Sequence, residues 1–193
     1  MAWIEPVTLR GEHVLLEPVA PRHYADLVDA AQDDDVWAWL PWARPYSEAD
    51  VAAIVAGERP AAHVFAQVER TGGRAVGWTT YRDIDERHRT LEVGGTWIGR
   101  PWWRTAINTE AKLLFLGHAF EALEANRVAI KTDIRNERSQ AAIARLGAVR
   151  EGVLRHQYVR RDGSLRDTVL YSIVPAEWPD VKARLEARLA AHA

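Results

Sequence analysis

Two arginines, two adjacent tryptophans and a proline crowd the stretch GRPWWRTAINTEAK, Gly99 to Lys112, before it turns into a helical pattern. An arginine fork suits phosphate or carboxylate, and the free amides at the start of a helix attract the same anions. The bend is therefore a candidate anion site, with Arg100 and Arg104 as its charges. The stretch NERS, Asn136 to Ser139, places an amide side chain three residues before a hydroxyl at a second helix start, which is N-cap chemistry. RHQYVRRDGSLR, Arg155 to Arg166, is basic around one aromatic. It reads as a solvated hairpin, with a basic rim for an acidic acceptor as the alternative. VWAWLPW brings Trp37, Trp39 and Trp42 into one loop, as an aromatic binding pocket, a packing segment or a dimer surface. The seven histidines show no ligand spacing with carboxylates, so no metal site is expected, and His118 reads as a surface or core residue.

Strands and helices must carry these residues. HVLLEPV, His13 to Val19, is a strand pattern, and Tyr24, Leu27 and Ala31 follow at helical spacing. A second helix is expected from Ser47, its N-cap, to Gly57, its stop. AHVFAQVE and AVGWTTYRD flank RTGGR as a hairpin, and Thr90 to Gly99 adds a third strand to the meander. After the bend, Leu113, Leu116, Phe120 and Leu123 share one face of a helix running to about Asn126, capped by Asn108 or Thr109, with Glu110 in the first turn suiting the macrodipole. RVAIKTD is a strand reached by a parallel crossover. NERSQAAIARLGA is a helix stopped at Gly147. Two strands surround RRDGS, and a last helix begins at Pro179 with Val181, Leu185 and Leu189 buried. The order β–α–α–β–β–β–α–β–α–β–β–α predicts one α/β domain over residues 1–193, with a mixed sheet.

Composition narrows the classes. The chain of 193 residues is 48% hydrophobic and 27% charged, as ordinary globular domains are. Its net charge of −2 argues against a nucleic-acid partner. Without cysteine there is no disulfide framework and no thiolate chemistry. No apolar run approaches the roughly 20 residues that span a bilayer, and MAWIEPVTLRGEH lacks the layout of a signal peptide. A cytoplasmic setting with no membrane partner is expected. Lysine occurs only at Lys112, Lys131 and Lys182, so the positive charge is nearly all arginine.

From Leu91 to Val174, and more loosely from Leu9, the chain resembles the GCN5-related N-acetyltransferases, and within them the ribosomal-protein N-terminal acetyltransferases. The matching stretches are LEVGGTWIG, NTEAKLLFLGHAFE, IRNERSQAAIARLGAVREGVLR and RDTVLYSI. The resemblance implies an acetyl-CoA-dependent transfer of acetyl to a primary amine, of a small molecule or of a peptide or protein N-terminus, by direct attack in a ternary complex. It also implies a strand pair that splays, so that the pantetheine arm can pair with the exposed backbone like an added strand. Trp97, Ile98 and Gly99 would then offer backbone to pantetheine. Arg100 and Arg104 would supply charge near the pyrophosphate, and Thr105, Ala106, Ile107 and Asn108 would supply amides.

The family's pyrophosphate loop carries arginine or glutamine and two small residues where this chain has Trp103, Ala106 and Asn108. Asn136 matches the asparagine that hydrogen-bonds the pantetheine, and Ser139 would lie near the thioester sulfur. The tyrosine that commonly protonates the departing thiolate is replaced by Ile143. Ser139 is then the first substitute and Tyr171 the second, while Glu92 is the candidate base, with deprotonation through water as the alternative. Trp37, Trp39 and Trp42 would wall the acceptor site. The missing tyrosine and altered loop leave a non-catalytic acyl-CoA-binding module as the rival class. A monomer or a homodimer is compatible with the resemblance.

Overall fold

Continuous buried runs, such as Ala75 to Tyr81, give the central strands two buried faces, and helices cover both. The computed structural model describes residues 3–58 and 62–192. Its elements run β1 (Leu9–Arg10), β2 (Val14–Pro18), α1 (Tyr24–Ala30), α2 (Glu48–Ala56), β3 (His63–Glu69), β4 (Ala75–Asp85) and β5 (Thr90–Ile98). There follow α3 (Ala106–Gly117), β6 (Arg127–Asp133), α4 (Glu137–Leu146), β7 (Val149–Val159), β8 (Leu165–Ile173) and α5 (Trp178–Ala190). The eight strands form one sheet in the order β1-β2-β3-β4-β5-β6-β8-β7. Every neighbouring pair is antiparallel except β5 and β6, the two strands that α3 connects.

One core gathers Phe115 and Leu116 of α3, Ile143 and Leu146 of α4 and Val181 and Leu185 of α5 against Leu91, Val93, Val128 and Ile130 of the sheet. The other gathers Leu27 of α1 and Val51 of α2 with Trp37, Trp78 and Trp97. Adjacent Trp97 and Ile98 in β5 divide between the two clusters, as the pleat requires, while Val76 and Trp78 in β4 divide because the β3–β4 register shifts at Val76. No helix among the described residues is long and apolar enough to cross a membrane.

Several ends differ from the expected ones. The cap of α3 is Thr105, not Asn108 or Thr109. Arg104 sits at φ +64, which stops the helix from growing backwards, and extended Thr105 accepts a hydrogen bond from the Ile107 amide. The same helix does not run evenly to Asn126. It widens into a π-turn over His118–Ala122, where the Tyr81 hydroxyl has entered from β4 and donates to the Phe115 carbonyl at 2.5 Å. His118 is half-buried beside that hydroxyl, with Nδ1 3.2 Å away, and burial lowers its pKa. Leu189 is half-buried rather than buried, because α5 passes beyond the core in its last turn. Ser47 caps α2, and Gly147, at φ +98, ends α4.

Glu110 does more than meet a helix dipole. Its carboxylate accepts hydrogen bonds from the main-chain N–H groups of Glu12, His13 and Val14, at 2.8, 2.7 and 2.8 Å, and so ties the start of β2 to α3. Gly11 permits the approach, since a Cβ there would lie 2.3 Å from the Glu110 carboxyl carbon. Glu110→Ala should therefore lower the free energy of unfolding by about 3 kcal/mol, more than a single neutral hydrogen bond is worth. Urea denaturation measures this, and a loss under about 1 kcal/mol would contradict the tether.

Candidate active site

β5 and β6 pair for only three steps, Thr90 with Arg127, Leu91 with Val128 and Glu92 with Ala129. Beyond Glu92 the two strands part. On its other edge β5 stays with β4, but Gly95 and Thr96 stand opposite the single residue Thr79, between the pairs Trp78–Trp97 and Thr80–Gly94. This is a β-bulge, and a bulge bends its strand. Gly95 makes it possible. Its φ is +55, and a Cβ would lie 2.6 Å from the Arg82 guanidinium and 3.1 Å from the Trp42 ring. β6 meanwhile runs on to Asp133, held by β8.

The opened wedge continues into a cleft of about 1650 Å³, lined by Gly94 to Ile98 of β5 and Ile130 to Asp133 of β6. That exceeds the roughly 300–1,000 Å³ typical of a site for one drug-sized ligand. The starts of α3 and α4 form its sides, and the Trp39–Trp42 loop and the β7–β8 hairpin tip close round it.

The backbone at the end of β5 is already engaged. The Trp97 carbonyl accepts from Gln67 Nε2 at 3.1 Å, the Ile98 carbonyl accepts from Trp103 Nε1 at 2.8 Å, and the Gly99 amide donates to the Val76 carbonyl at 2.8 Å. The edge of β5 without a strand partner begins at Val93 and runs on to Ile98. The Gln67 and Val76 bonds come from the β3–β4 side, and Trp103 takes the Ile98 carbonyl, so Trp97 and Ile98 stay on the cleft wall. Gly99 lies against Ala30 and Trp102, off the cleft. The side chains of Ala106 and Ile107 are buried, so only their main chain is available at the first turn of α3; Thr105 and Asn108 line the cleft.

Trp103 organises the bend. Its ring carries the Arg100 guanidinium at 4.9 Å and the Arg138 guanidinium, from α4, at 4.1 Å. An aromatic residue where a cation was expected thus gathers two cations. No local pattern connects α4 to the bend, so the sequence carries no signal for Arg138 at this place. Arg100 also pairs with Asp35 at 2.5 Å and Asp33 at 3.4 Å, while Arg104 lines the cleft. Asn136 caps α4, its Oδ1 accepting from the Ser139 amide at 3.0 Å, and both side chains line the cleft with Ile143.

Glu92 faces the same cleft, buried and 2.7 Å from Lys131 Nζ, which also meets Asp83 at 2.8 Å. Burial pushes the Glu92 carboxyl above its ordinary pKa, Lys131 opposes this, and Asp83 adds to it. Asp133 is buried too. Burial alone would raise its carboxyl, yet hydrogen bonds from Arg160, at 2.6 and 2.9 Å, and from the Arg135 amide hold it below the usual value. The hairpin is consequently no solvated loop at Arg160 and Arg166, whose side chains are 13% and 18% exposed. Arg161 reaches across to the Trp37 carbonyl at 2.8 Å and joins the hairpin to the tryptophan loop.

Of the three tryptophans expected at the acceptor side, Trp39 and Trp42 line the cleft and Trp37 does not. Trp37 is 1% exposed, packs on Trp97 at 4.8 Å and Trp78 at 6.3 Å, and spends its indole N–H on the Ala31 carbonyl. Tyr171 is likewise a core residue. It lies on β8 between Ile130 and Arg150, 5% exposed, and takes no part in lining the cleft.

A splayed parallel pair, a bulge beside it and a cationic helix start at its mouth make up an acetyltransferase architecture. The family profile described as Acetyltransferase (GNAT) domain matches residues 13–149, and the chain belongs to that family. It is 32% identical over 184 residues, 92% of this chain and 96% of the relative, to the "Putative ribosomal N-acetyltransferase YdaF" of Bacillus subtilis. Among solved structures it is similar to a GCN5-related N-acetyltransferase from Brucella melitensis, with TM-score 0.90 and 27% identity over 97% of this chain and 87% of that one. It is also similar to Mycobacterium smegmatis RimJ in complex with CoA-disulfide, with TM-score 0.78 and 25% identity over 94% of each chain. The protein is an acetyltransferase, as these relatives are.

Because the bulge shapes the cleft, Gly95→Ala is expected to cost about 1–2 kcal/mol of stability from the positive φ alone, with the clash against Arg82 and Trp42 added. Chemical denaturation would read the loss; a neutral substitution would show that the loop around Gly95 relaxes freely.

Proposed function

We propose that the wedge between β5 and β6 binds acetyl-CoA and that the protein transfers the acetyl group to a primary amine, that of a protein N-terminus. The observation that carries this reading is the lost ladder of β5 after Glu92. Main-chain groups from Val93 onward lack a strand partner on that edge, and an extended amide-bearing arm such as pantetheine can take that place. The donor set agrees with a nucleotide tail. Arg100 and Arg138 on the Trp103 ring, Arg104, and the first turn of α3 behind its Thr105 cap face the cleft mouth. Bound acetyl-CoA would supply an activated acyl group as a thioester. The protein-terminus preference draws on the likeness to YdaF and RimJ, and a cytoplasmic enzyme follows from the same likeness.

Glu92 would take the proton that the acceptor ammonium must lose. Its buried carboxyl has a raised affinity for that proton, and Lys131 fixes its orientation. Ser139, in the first turn of α4, would donate a hydrogen bond to the departing sulfur or pass on a proton through water, since an alcohol is too weak an acid to act alone. Asn136 would hold the pantetheine arm while its Oδ1 keeps α4 capped. Trp39 and Trp42 would wall the acceptor side, and Arg160 and Arg166 would set its charge. Ile143 occupies the position of the family's usual tyrosine acid, which leaves Ser139 as the polar group at that end of α4.

Titration calorimetry with CoA tests the reading directly; absence of heat at millimolar CoA would end it. Asn136→Ala should weaken CoA by about 1–2 kcal/mol, and an unchanged dissociation constant would misplace that residue. Ser139→Ala should lower kcat more than it alters CoA affinity, whereas a wild-type rate would assign the proton to solvent. The rate at low acceptor concentration should rise with pH as Glu92 gives up its proton, and fall away in acid. Glu92→Gln should flatten that limb in a thiol-release assay on a panel of peptides and small amines, and an unaltered profile would transfer the base role to water. Turnover confined to small amines would reject the protein terminus as acceptor.

A further inference from the structure

Two of the three lysines in this chain are held by carboxylates. Lys182 Nζ lies 2.8 Å from Glu121, a pairing that raises its pKa. Lys131 Nζ lies between Asp83 and Glu92; burial alone would lower it, and the two carboxylates outweigh burial and hold it above its ordinary value. Lys112 differs from both. It sits in the second turn of α3, lines the cleft, and extends to the bulge of β5, where Nζ donates to Thr96 Oγ1 at 3.0 Å. Thr96 Oγ1 in turn lies 2.7 Å from Thr79 Oγ1. No carboxylate stands within ion-pair distance of Lys112 among the described residues.

A cation with hydroxyl partners and no counter-charge is poorly compensated. Burial accordingly lowers the Lys112 pKa to about 8. At pH 7 about one lysine in ten at such a position is neutral, some hundreds of times more than for a free side chain. The neutral amine is the nucleophilic form. It stands at the residues where β5 has left β6, which is where the proposed arm would lie.

We propose that Lys112 is a self-acylation site, an internal amine that accepts an acyl group from acyl-CoA bound in the seam; this rests on the acetyl-CoA reading of that seam. In the step, the neutral Nζ lone pair attacks the thioester carbonyl carbon and an N–C bond forms. The C–S bond breaks with its electron pair going to sulfur, and the proton lost from nitrogen ends on the thiolate as CoA thiol. The product is a neutral amide at Thr96. Its added bulk narrows the cleft, so the modified chain binds CoA more weakly than the unmodified one.

The test incubates the full chain with acetyl-CoA, follows intact mass and maps the modified peptides, with CoA binding measured by calorimetry on the same preparation. One acetyl group is expected on Lys112, appearing at least about tenfold faster than on Lys131 or Lys182, as the neutral fractions require. Excess CoA should suppress it by occupying the seam, Lys182→Arg should leave it intact, and Lys112→Arg should abolish it. CoA binding without acetylation of the Lys112 peptide overturns the self-acylation proposal and spares the seam. Acetylation spread evenly over the three lysines, or untouched by excess CoA, also overturns it. No CoA binding at all removes the seam reading, and this proposal with it.

Discussion

A strand keeps its backbone satisfied on both edges or leaves an edge for something else. In this protein β5 pairs with β6 for three residues and then abandons it, while its other edge stays with β4 through a bulge. Everything around the cleft follows from that asymmetry. The bulge needs a residue that tolerates positive φ and lacks a Cβ, hence Gly95 under Arg82 and Trp42. At the end of the strand, Gln67, Trp103 and Val76 bond the last backbone groups. What remains open is the edge from Val93 onward, bounded at its start by Glu92, the last residue paired with β6, and that boundary would give an extended ligand a defined register.

Charge in the cleft is distributed by the same economy of partners. The carboxylates lining it are all engaged: Glu58 with Arg82, Glu92 with Lys131, Asp133 with Arg160, and Asp162 with Ser164. Cations at the mouth are held by aromatic stacking as much as by acids, with Trp103 between Arg100 and Arg138. A guanidinium on a ring face keeps its edge donors directed outward, which suits an incoming anion better than a guanidinium locked by a carboxylate. Arg100, paired with Asp33 and Asp35, is a compromise between the two. Burial then divides the ionisable groups inside the cleft. Glu92 is raised despite its lysine, Asp133 is lowered by its arginine, and Lys112 is lowered by partial burial with no acid beside it among the described residues.

Much of the element order was legible because periodicity and punctuation are local. Ser47, Gly147 and the RTGGR hairpin sit where capping and turn chemistry place them. The errors fall where a distant residue intervenes. Tyr81, from another strand, converts the end of α3 into a π-turn. Glu110 looked like a helix-dipole residue and is a clamp on residues nearly a hundred positions away. Trp37 looked no different from Trp39 and Trp42, yet only the latter two line the cleft, because burial is a property of the neighbours and not of the loop's own sequence. Tyr171 went the same way, into the core.

The chain's composition and motifs by themselves determined the family resemblance, the mixed sheet with one parallel crossover, and the pairing of a cationic bend with an Asn–Ser helix start, since all of these are written in neighbouring residues. Only the folded chain decided where the wedge begins, that Trp103 recruits Arg138 across the cleft, and that one lysine in three has no counter-charge among the described residues. Those outcomes depend on distances between segments far apart in sequence. Desolvation and strand register are set by what packs alongside, and no local pattern records it.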